Sequence, residues 1–362
     1  MSLVQPLNKT RDGLFSHAEG NDIAPIERLP KWLLCTPIGI QLLWLGARHG
    51  SVTLPSVLNP VIENGGLVGE SKYSYLRCVS PEFGHLLATT ALVAPGEDVE
   101  AARGRSALSF PLIAKPDIGW CGYGVRRIDD AQQLRDYAAA YPAGASFLLQ
   151  QLIAAPNEAG LHYIRAPDER CGRLVAMTIR HPPSVMGDGT SSIEQLIDLN
   201  PRTKSRADVY RRILDPSALH SVPQSGERVV LTTVASTRIG GRYEDATGRV
   251  TAALNDTVDA LCRSMGGFEV GRIDVRFRSL EELREGCFKI IEINGAGSEA
   301  IQYWDPRVSM RQTFAGVFAK QRELFALAAK ARRLGRRPVG LRAILRAHFK
   351  QQRLIRAYPD SN

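Results

Sequence analysis

Between positions 270 and 295 two short runs alternate charged or polar residues with apolar ones. On an extended strand Arg272 and Asp274 would point to one face and Ile273 and Val275 to the other. The run FKIIEIN repeats the pattern, with Glu292 and Asn294 on one face and Ile291 and Ile293 packed behind. Paired as a hairpin or meander, these strands would bring three oxygen ligands and one guanidinium into a small volume. Upstream, LIAKP at 112–116 reads as a short apolar strand ending in Lys115, and FLLQQLI at 147–153 as another. EAGLHYIR at 158–165 and LVAMTIR at 174–180 predict two more, with His162 and Tyr163 on opposite faces of the first. A turn follows, HPPSVMGDGTSSIEQLI, in which Asp188 and Gly189 make the bend and Ser191 or Ser192 caps a helix. From 320 onward the period becomes helical. The pattern predicts two amphipathic helices broken near 335–340, with Leu341, Ile344, Leu345, Phe349, Leu354 and Ile355 along an apolar face.

The segment 29–45, LPKWLLCTPIGIQLLWL, is strongly apolar and holds two tryptophans, but Pro30, Lys31 and Pro37 interrupt it. It is too short and broken for a membrane span. A buried helix pair or a dimer interface is one reading, and an element lying in a membrane interface is the other. A cleaved leader is not expected, because residues 1–28 are polar on balance and show no small-residue cleavage site.

Charge and cysteine usage narrow the picture. The chain has 362 residues, 44% of them hydrophobic, enough for a large core and two or three domains. Its net charge of +9 is confined to one end: residues 320–362 hold twelve Lys or Arg and two acids, leaving 34 basic against 35 acidic residues elsewhere. That basic segment could pack on the protein's own acidic surface, lie on an anionic membrane, or bind nucleic acid; sparse aromatic interleaving ranks nucleic acid last. The six cysteines form no CxxC pair and no zinc spacing, so the chain reads as cytosolic and reduced.

Two constellations carry chemistry. Asp274, Glu292 and Asn294 offer only hard oxygen ligands, which suits magnesium better than zinc; solvated charges on edge strands are the plain alternative. Lys115 is followed by glycines at 119, 122 and 124, where a backbone can approach a phosphate closely. No GK[ST] follows and no strand-to-helix context exists, so this is neither a Walker A loop nor a dinucleotide fingerprint. A glycine-rich hairpin folding over a nucleotide fits better. Arg165 and Arg180, at strand ends, are candidates for a carboxylate or phosphate, or are solvated.

In this order, KPxxGxxGxGV, a hinge strand, a GDG turn, RxD and ExN, the pieces resemble the ATP-grasp superfamily and its carboxylate-amine ligases. The resemblance covers about 69–306 and implies an α+β ATP-grasp fold, two α+β subdomains sandwiching ATP. It divides the chain into a divergent N-terminal region (1–68) that lacks the family's opening βαβ alternation, the ATP-grasp domain (69–318), and a basic helical tail (319–362). It implies that Lys115 and, earlier, Lys72 contact phosphates under a loop formed by Gly119, Gly122 and Gly124. Gln150, Gln151, Leu152 and Ile153 would form the adenine hinge, and Glu158 would hold the ribose. Asp274, Glu292 and Asn294 would bind magnesium, two ions with manganese as an alternative, and Arg272 would neutralise the transferring phosphoryl group. The segment after Asn294 departs from the D-alanine ligases, so Gly295, Gly297 and Ser298 line an acceptor pocket of different shape.

The activity so implied is ATP-dependent amide formation between a small carboxylate and an amine, through an acylphosphate. A kinase of a small molecule or lipid headgroup, or a membrane-associated nucleotide-binding module, is the alternative. The remaining partner expectations are contact with an anionic membrane on its inner face through 320–356 and 29–45, and a homodimer.

Overall fold

The computed structural model describes residues 23–362; the leader reading for 1–28 therefore falls largely outside the described residues. The chain runs through helices α1 (Lys31–His49) and α2 (Lys72–Arg77), strand β1 (Thr90–Val93) and helix α3 (Val99–Arg105). Strands β2 (Leu112–Pro116) and β3 (Arg126–Ile128), helix α4 (Ala131–Ala140) and strand β4 (Phe147–Gln151) follow. Next come β5 (Asn157–Ile164), β6 (Arg173–His181) and β7 (Ser184–Met186), then four short helices, α5 (Ile193–Leu199), α6 (Pro201–Lys204), α7 (Ala207–Ile213) and α8 (Pro216–His220). Strands β8 (Arg228–Val230) and β9 (Arg242–Asp245), helix α9 (Ala252–Ser264), strand β10 (Val270–Phe277), helix α10 (Leu280–Arg284) and strand β11 (Lys289–Asn294) lead to α11 (Met310–Arg333) and α12 (Leu341–Ala357).

Two antiparallel sheets organise these elements, a four-stranded one in the order β1-β4-β2-β3 and a five-stranded one in the order β11-β10-β5-β6-β9. The first packs Leu112, Ala114 and Leu149 against Leu134 and Tyr137 of α4. In the second, Ile273, Val275, Leu161, Tyr163, Met177 and Ile179 form one apolar face that buries Leu254, Val258 and Leu261 of α9. The opposite face is left to the charged residues. Period-2 alternation therefore separates core from chemistry along β5, β6 and β10, as the sequence predicts.

One detail of register differs. Asp274 pairs with Glu292 but Val275 pairs with Ile290, so a bulge shifts the β10–β11 ladder by one residue. Ile290, not Ile291, is consequently buried in the core beside Ile293. A bulge residue is freed from the ladder, and here the carbonyl of Ile291 accepts hydrogen bonds from Lys115 Nζ at 2.7 Å and Gln150 Nε2 at 3.1 Å, tying the two sheets together.

Between β6 and β9 the antiparallel β7–β8 pair and the α5–α8 helices that connect it form a small lobe with its own core around Val185, Ile193, Ile197 and Tyr210. The GDG turn at its entrance is structural: the Asp188 carboxylate accepts from the backbone of Thr190 and Ser191, and Ser192 caps α5 through a reciprocal pair with Gln195. The two tail helices form as expected, but the first begins at Met310, so the limit drawn at 318/319 lies inside α11. Phe325, Ala328 and Ala331 of that helix are buried against Leu54, Leu58 and Val270. On α12, Leu341, Leu345 and Phe349 are exposed while Ile344, Leu354 and Ile355 are half-buried.

The apolar segment 29–45 is not a helix pair: from Lys31 on it falls in the single helix α1, with Pro37 inside it. Gln41 and Gln321 join it to α11 by hydrogen bonds to Phe318 and Ile38 carbonyls. Trp32, Ile40, Leu43 and Trp44 lie exposed along the other side, at 69, 62, 64 and 53%. Among the described residues no helix is long and apolar enough to cross a membrane.

Candidate active site between the two sheets

The charged face of the larger sheet is assembled by register. Arg272 sits beside His162 on β5 and Asn294 on β11; Asp274 sits beside Gly160 and Glu292; Glu158 sits beside Arg276 and Arg180. Gly160 makes room for this packing, since a Cβ there would lie 2.9 Å from Arg272 Cδ and 3.2 Å from Asp274 Oδ1. Arg272 grips Asp274 with two parallel bonds of 2.7 and 3.0 Å. Arg180 Nη1 bridges Asp274 at 2.9 Å and Glu158 at 2.7 Å. Burial opposes ionisation of Asp274, but the guanidiniums of Arg272 and Arg180 outweigh it and hold its carboxyl below the usual range.

Across the wedge stand the lysines. Lys115 is buried, donating to Gln150 Oε1 at 2.9 Å and to Ile291 O. Burial lowers its pKa to about 8, although Glu292 pulls the other way. Lys72, at the start of α2, donates to the Gly119 carbonyl and lies 3.6 Å from Glu292. The structure thus gathers Lys72, Lys115, Glu158, Arg272, Asp274, Glu292 and Asn294 around one wedge.

Of the hinge positions, Gln150 touches that group through Lys115. Gln150 and Gln151 are inside the β4 ladder, the side chain of Gln150 is spent on Lys115, Thr90 and Ile291, and Gln151 N donates to Thr89 O. Leu152 and Ile153 border a cavity of about 500 Å³ that extends to Leu231 and Thr232. Glu158 is engaged by Arg180 and, at 3.7 Å, by Arg276. His162 faces the charged side, while Tyr163 points into the core and donates to Asp259. Arg165 is directed away, toward the carbonyls of Glu169 and Phe268.

The loop between β2 and β3 is the glycine hairpin anticipated from sequence. Gly122 and Gly124 adopt φ of 71° and 70°, a region costly for other residues. Two devices that the sequence did not disclose hold it. Arg238 donates to the carbonyls of Cys121 and Gly122 and stacks over Tyr123. Residues 358–362 run across the loop as well: Tyr358 donates to Ile118 O at 2.6 Å and stacks on Tyr141, Ser361 donates to Gly122 O, and Asn362 N donates to Val125 O. Glu70 was also missed. Its carboxyl, beside Lys72 and Tyr75, is raised in pKa by burial, and Oε2 has no hydrogen-bond partner among the described residues.

Among the described residues no group of three or more His, Cys, Asp or Glu side chains is assembled for a metal ion. Two carboxylates and one amide do fit a hard cation that takes its remaining ligands from phosphates and water.

Two antiparallel sheets meet over a lysine-lined wedge, one bearing a glycine hairpin and the other paired RxD and ExN strands, which is the arrangement expected from the resemblance to the ATP-grasp superfamily. In sequence the chain is similar to cyanophycin synthetase of Synechocystis sp., 28% identical over an alignment covering 52% of this chain and 23% of that protein. The chain therefore spans under a quarter of that relative's length. No family model matches it. Solved structures that align with it include D-alanine–D-alanine ligase from Bacillus anthracis (12% identity, TM-score 0.40, 72% of this chain and 66% of that one). A bifunctional glutathione synthetase from Pasteurella multocida aligns at 15% identity and TM-score 0.37, over 72% of this chain and 37% of that one.

Proposed function

We propose that the chain is an ATP-dependent ligase that joins a carboxylate to an amine through an acylphosphate. The observation that carries this is the wedge itself, with Lys72 and Lys115 on one side and Arg272, Asp274, Glu292 and Asn294 on the other. Lys72 and Lys115 bind phosphate oxygens, and the 119–124 hairpin excludes water above them. The substrate carboxylate attacks the γ-phosphorus of ATP, the bond to the bridging oxygen breaks, and ADP leaves. The amine then adds to the acyl carbon and phosphate departs. Arg272, oriented by its two bonds to Asp274, screens charge on the transferring group and on the tetrahedral species. Magnesium, when bound, would be held by Asp274, Glu292 and Asn294 and would neutralise phosphate charge. Adenine reading falls to Leu152 and Ile153 at the cavity's edge.

The test is magnesium-dependent release of ADP and phosphate from ATP across pools of amino acids and small carboxylates, with Asp274→Asn as the blank. Turnover that needs both an acid and an amine supports the ligase. Phosphate kept on the acid, with no amine requirement, supports the kinase instead, and ATP bound but not consumed leaves a nucleotide-binding module.

A second reading concerns location. The exposed stripe of Trp32, Ile40, Leu43 and Trp44, on a helix whose C-terminal His49 carbonyl accepts from the exposed Arg332, suits a peripheral site on an anionic bilayer. Flotation with vesicles containing phosphatidylglycerol, lost at high salt, would support it; no flotation at low salt would sink it.

A further inference from the structure

Helix α12 packs weakly on the rest of the chain: of its 17 residues only Gln351 is buried. The helix is held at its two ends instead. At its start, the linker from α11 is pinned on the turn that follows α1. There Val339 N donates to Ser56 Oγ at 2.8 Å, and the Val339 carbonyl accepts from Thr53 Oγ1 at 2.7 Å. Beyond its last turn, Tyr358, Ser361 and Asn362 are bonded to the glycine hairpin. Between these anchors the inward side makes lighter contacts. His348 lies 6.3 Å from Trp120 of the hairpin, ring to ring, and Ala347 sits where a Cβ on Gly69 would come within 3.0 Å of it. The helix is thus a strut between the surface beside α1 and the loop over the wedge.

That packing leaves its outward side without a purpose. Leu341, Leu345 and Phe349, spaced four residues apart, lie exposed as one ridge, and Arg342, Arg346 and Lys350 form an exposed ridge one residue on. Residues 341–357 contain no acid, so these cations repel one another at i, i+4 spacing and weaken the helix that carries them. A partner that relieves this is anionic and also takes three apolar side chains. An anionic bilayer meets both demands, because the apolar groups enter below the headgroups while the longer basic ones reach the phosphates. It also accommodates two surfaces at once, since α1, with its exposed tryptophan stripe, ends just before the turn that pins the start of α12. We propose that α12 docks on an anionic bilayer and that docking tightens the glycine hairpin through residues 358–362. Screening of the repelling cations stabilises the helix, and the strap that continues from it holds the hairpin more firmly. By reciprocity, a hairpin closed over nucleotide strengthens docking by the same factor. This deepens the bilayer reading above and does not depend on which reaction the wedge performs.

Hydrogen exchange on the full chain tests it, at low salt, with vesicles of phosphatidylcholine alone or mixed with phosphatidylglycerol. Amides of 119–125 should exchange about fivefold more slowly on the anionic vesicles than on the neutral ones, while those of β10 stay unchanged. Arg346→Gln combined with Lys350→Gln should lose the slowing, and so should Phe349→Ser; all three side chains are exposed, so these variants keep the fold. Tyr358→Ala separates docking from its consequence, since it should still float with the vesicles yet show no slowing. Unchanged or faster exchange on anionic vesicles, or slowing that persists in the double variant or in Tyr358→Ala, would overturn the proposal. Equal slowing by soluble polyglutamate would overturn it too, by making the partner an acidic polypeptide. Trp32→Ser with Trp44→Ser scores the α1 reading separately. Flotation and slowing that both survive this pair remove α1 and leave α12 standing, whereas flotation of the parent without slowing removes α12 and leaves α1.

Discussion

Replacing Arg180 by Met tests the electrostatics of the charged face most directly. Arg180 is the counter-ion shared by Glu158 and Asp274, both buried at 7 and 0% exposure. In Arg180→Met, Asp274 keeps Arg272, but Glu158 keeps only Arg276 at 3.7 Å. Removing one partner of a buried ion pair costs about 3–5 kcal/mol, and retention of Arg272 places this case near 3. With an unfolding entropy of about 2.1 cal/mol/K per residue, 3 kcal/mol lowers Tm by roughly 4 °C in a chain of this length. The pH dependence gives the sign. In the parent, the depressed carboxyl of Asp274 contributes stability above the unfolded-state pKa and loses it as pH falls. In the variant the Asp274 carboxyl loses one of the two guanidiniums that hold its pKa down, so lowering the pH relieves the defect. Urea titrations should therefore show the gap between parent and variant shrinking from pH 7 to pH 4. Millimolar magnesium should stabilise the variant more than the parent, because the uncompensated carboxylates bind the cation better. A variant as stable as the parent at neutral pH, or a gap that widens in acid, would refute the reasoning.

Three further outcomes are expected. Glu292→Gln should abolish magnesium-dependent ATP turnover while thermal unfolding shifts by less than about 1 kcal/mol, since Glu292 is only half-buried and its nearest cation is 3.6 Å away; ordinary turnover would remove the metal assignment. Lys115 is charged below its pKa of about 8 and loses the charge above it, so ATP affinity should fall as pH rises from 8 to 10. Calorimetry in buffers of different ionisation enthalpy should then show proton uptake on binding in that window, and a flat profile would count against the role. Tyr358→Ala removes a hydrogen bond and a ring stack from the glycine hairpin, so hydrogen exchange at 119–125 should rise while exchange in β10 stays unchanged.

The sequence alone determined the parts whose information is local. Alternation along 270–277 and 292–294 sorts charged from apolar positions because a strand has a period of two. The glycine spacing after Lys115, the GDG bend and the helical period beyond 320 are local for the same reason. Tertiary structure decided everything that depends on which strand lies beside which. The bulge that turns Ile291 out of the core exists because β10 and β11 must pair around Asp274, and it frees the carbonyl that anchors Lys115. Arg180 and Glu158 joined Asp274 only because β5 and β6 continue the same sheet. Glu70, Arg238 and residues 358–362 carry no periodic or motif signal, and their roles arise from chain segments tens to hundreds of residues apart meeting over one wedge. Burial, which lowers the pKa of Lys115, is a property of that assembled volume and is written in no short stretch of the chain.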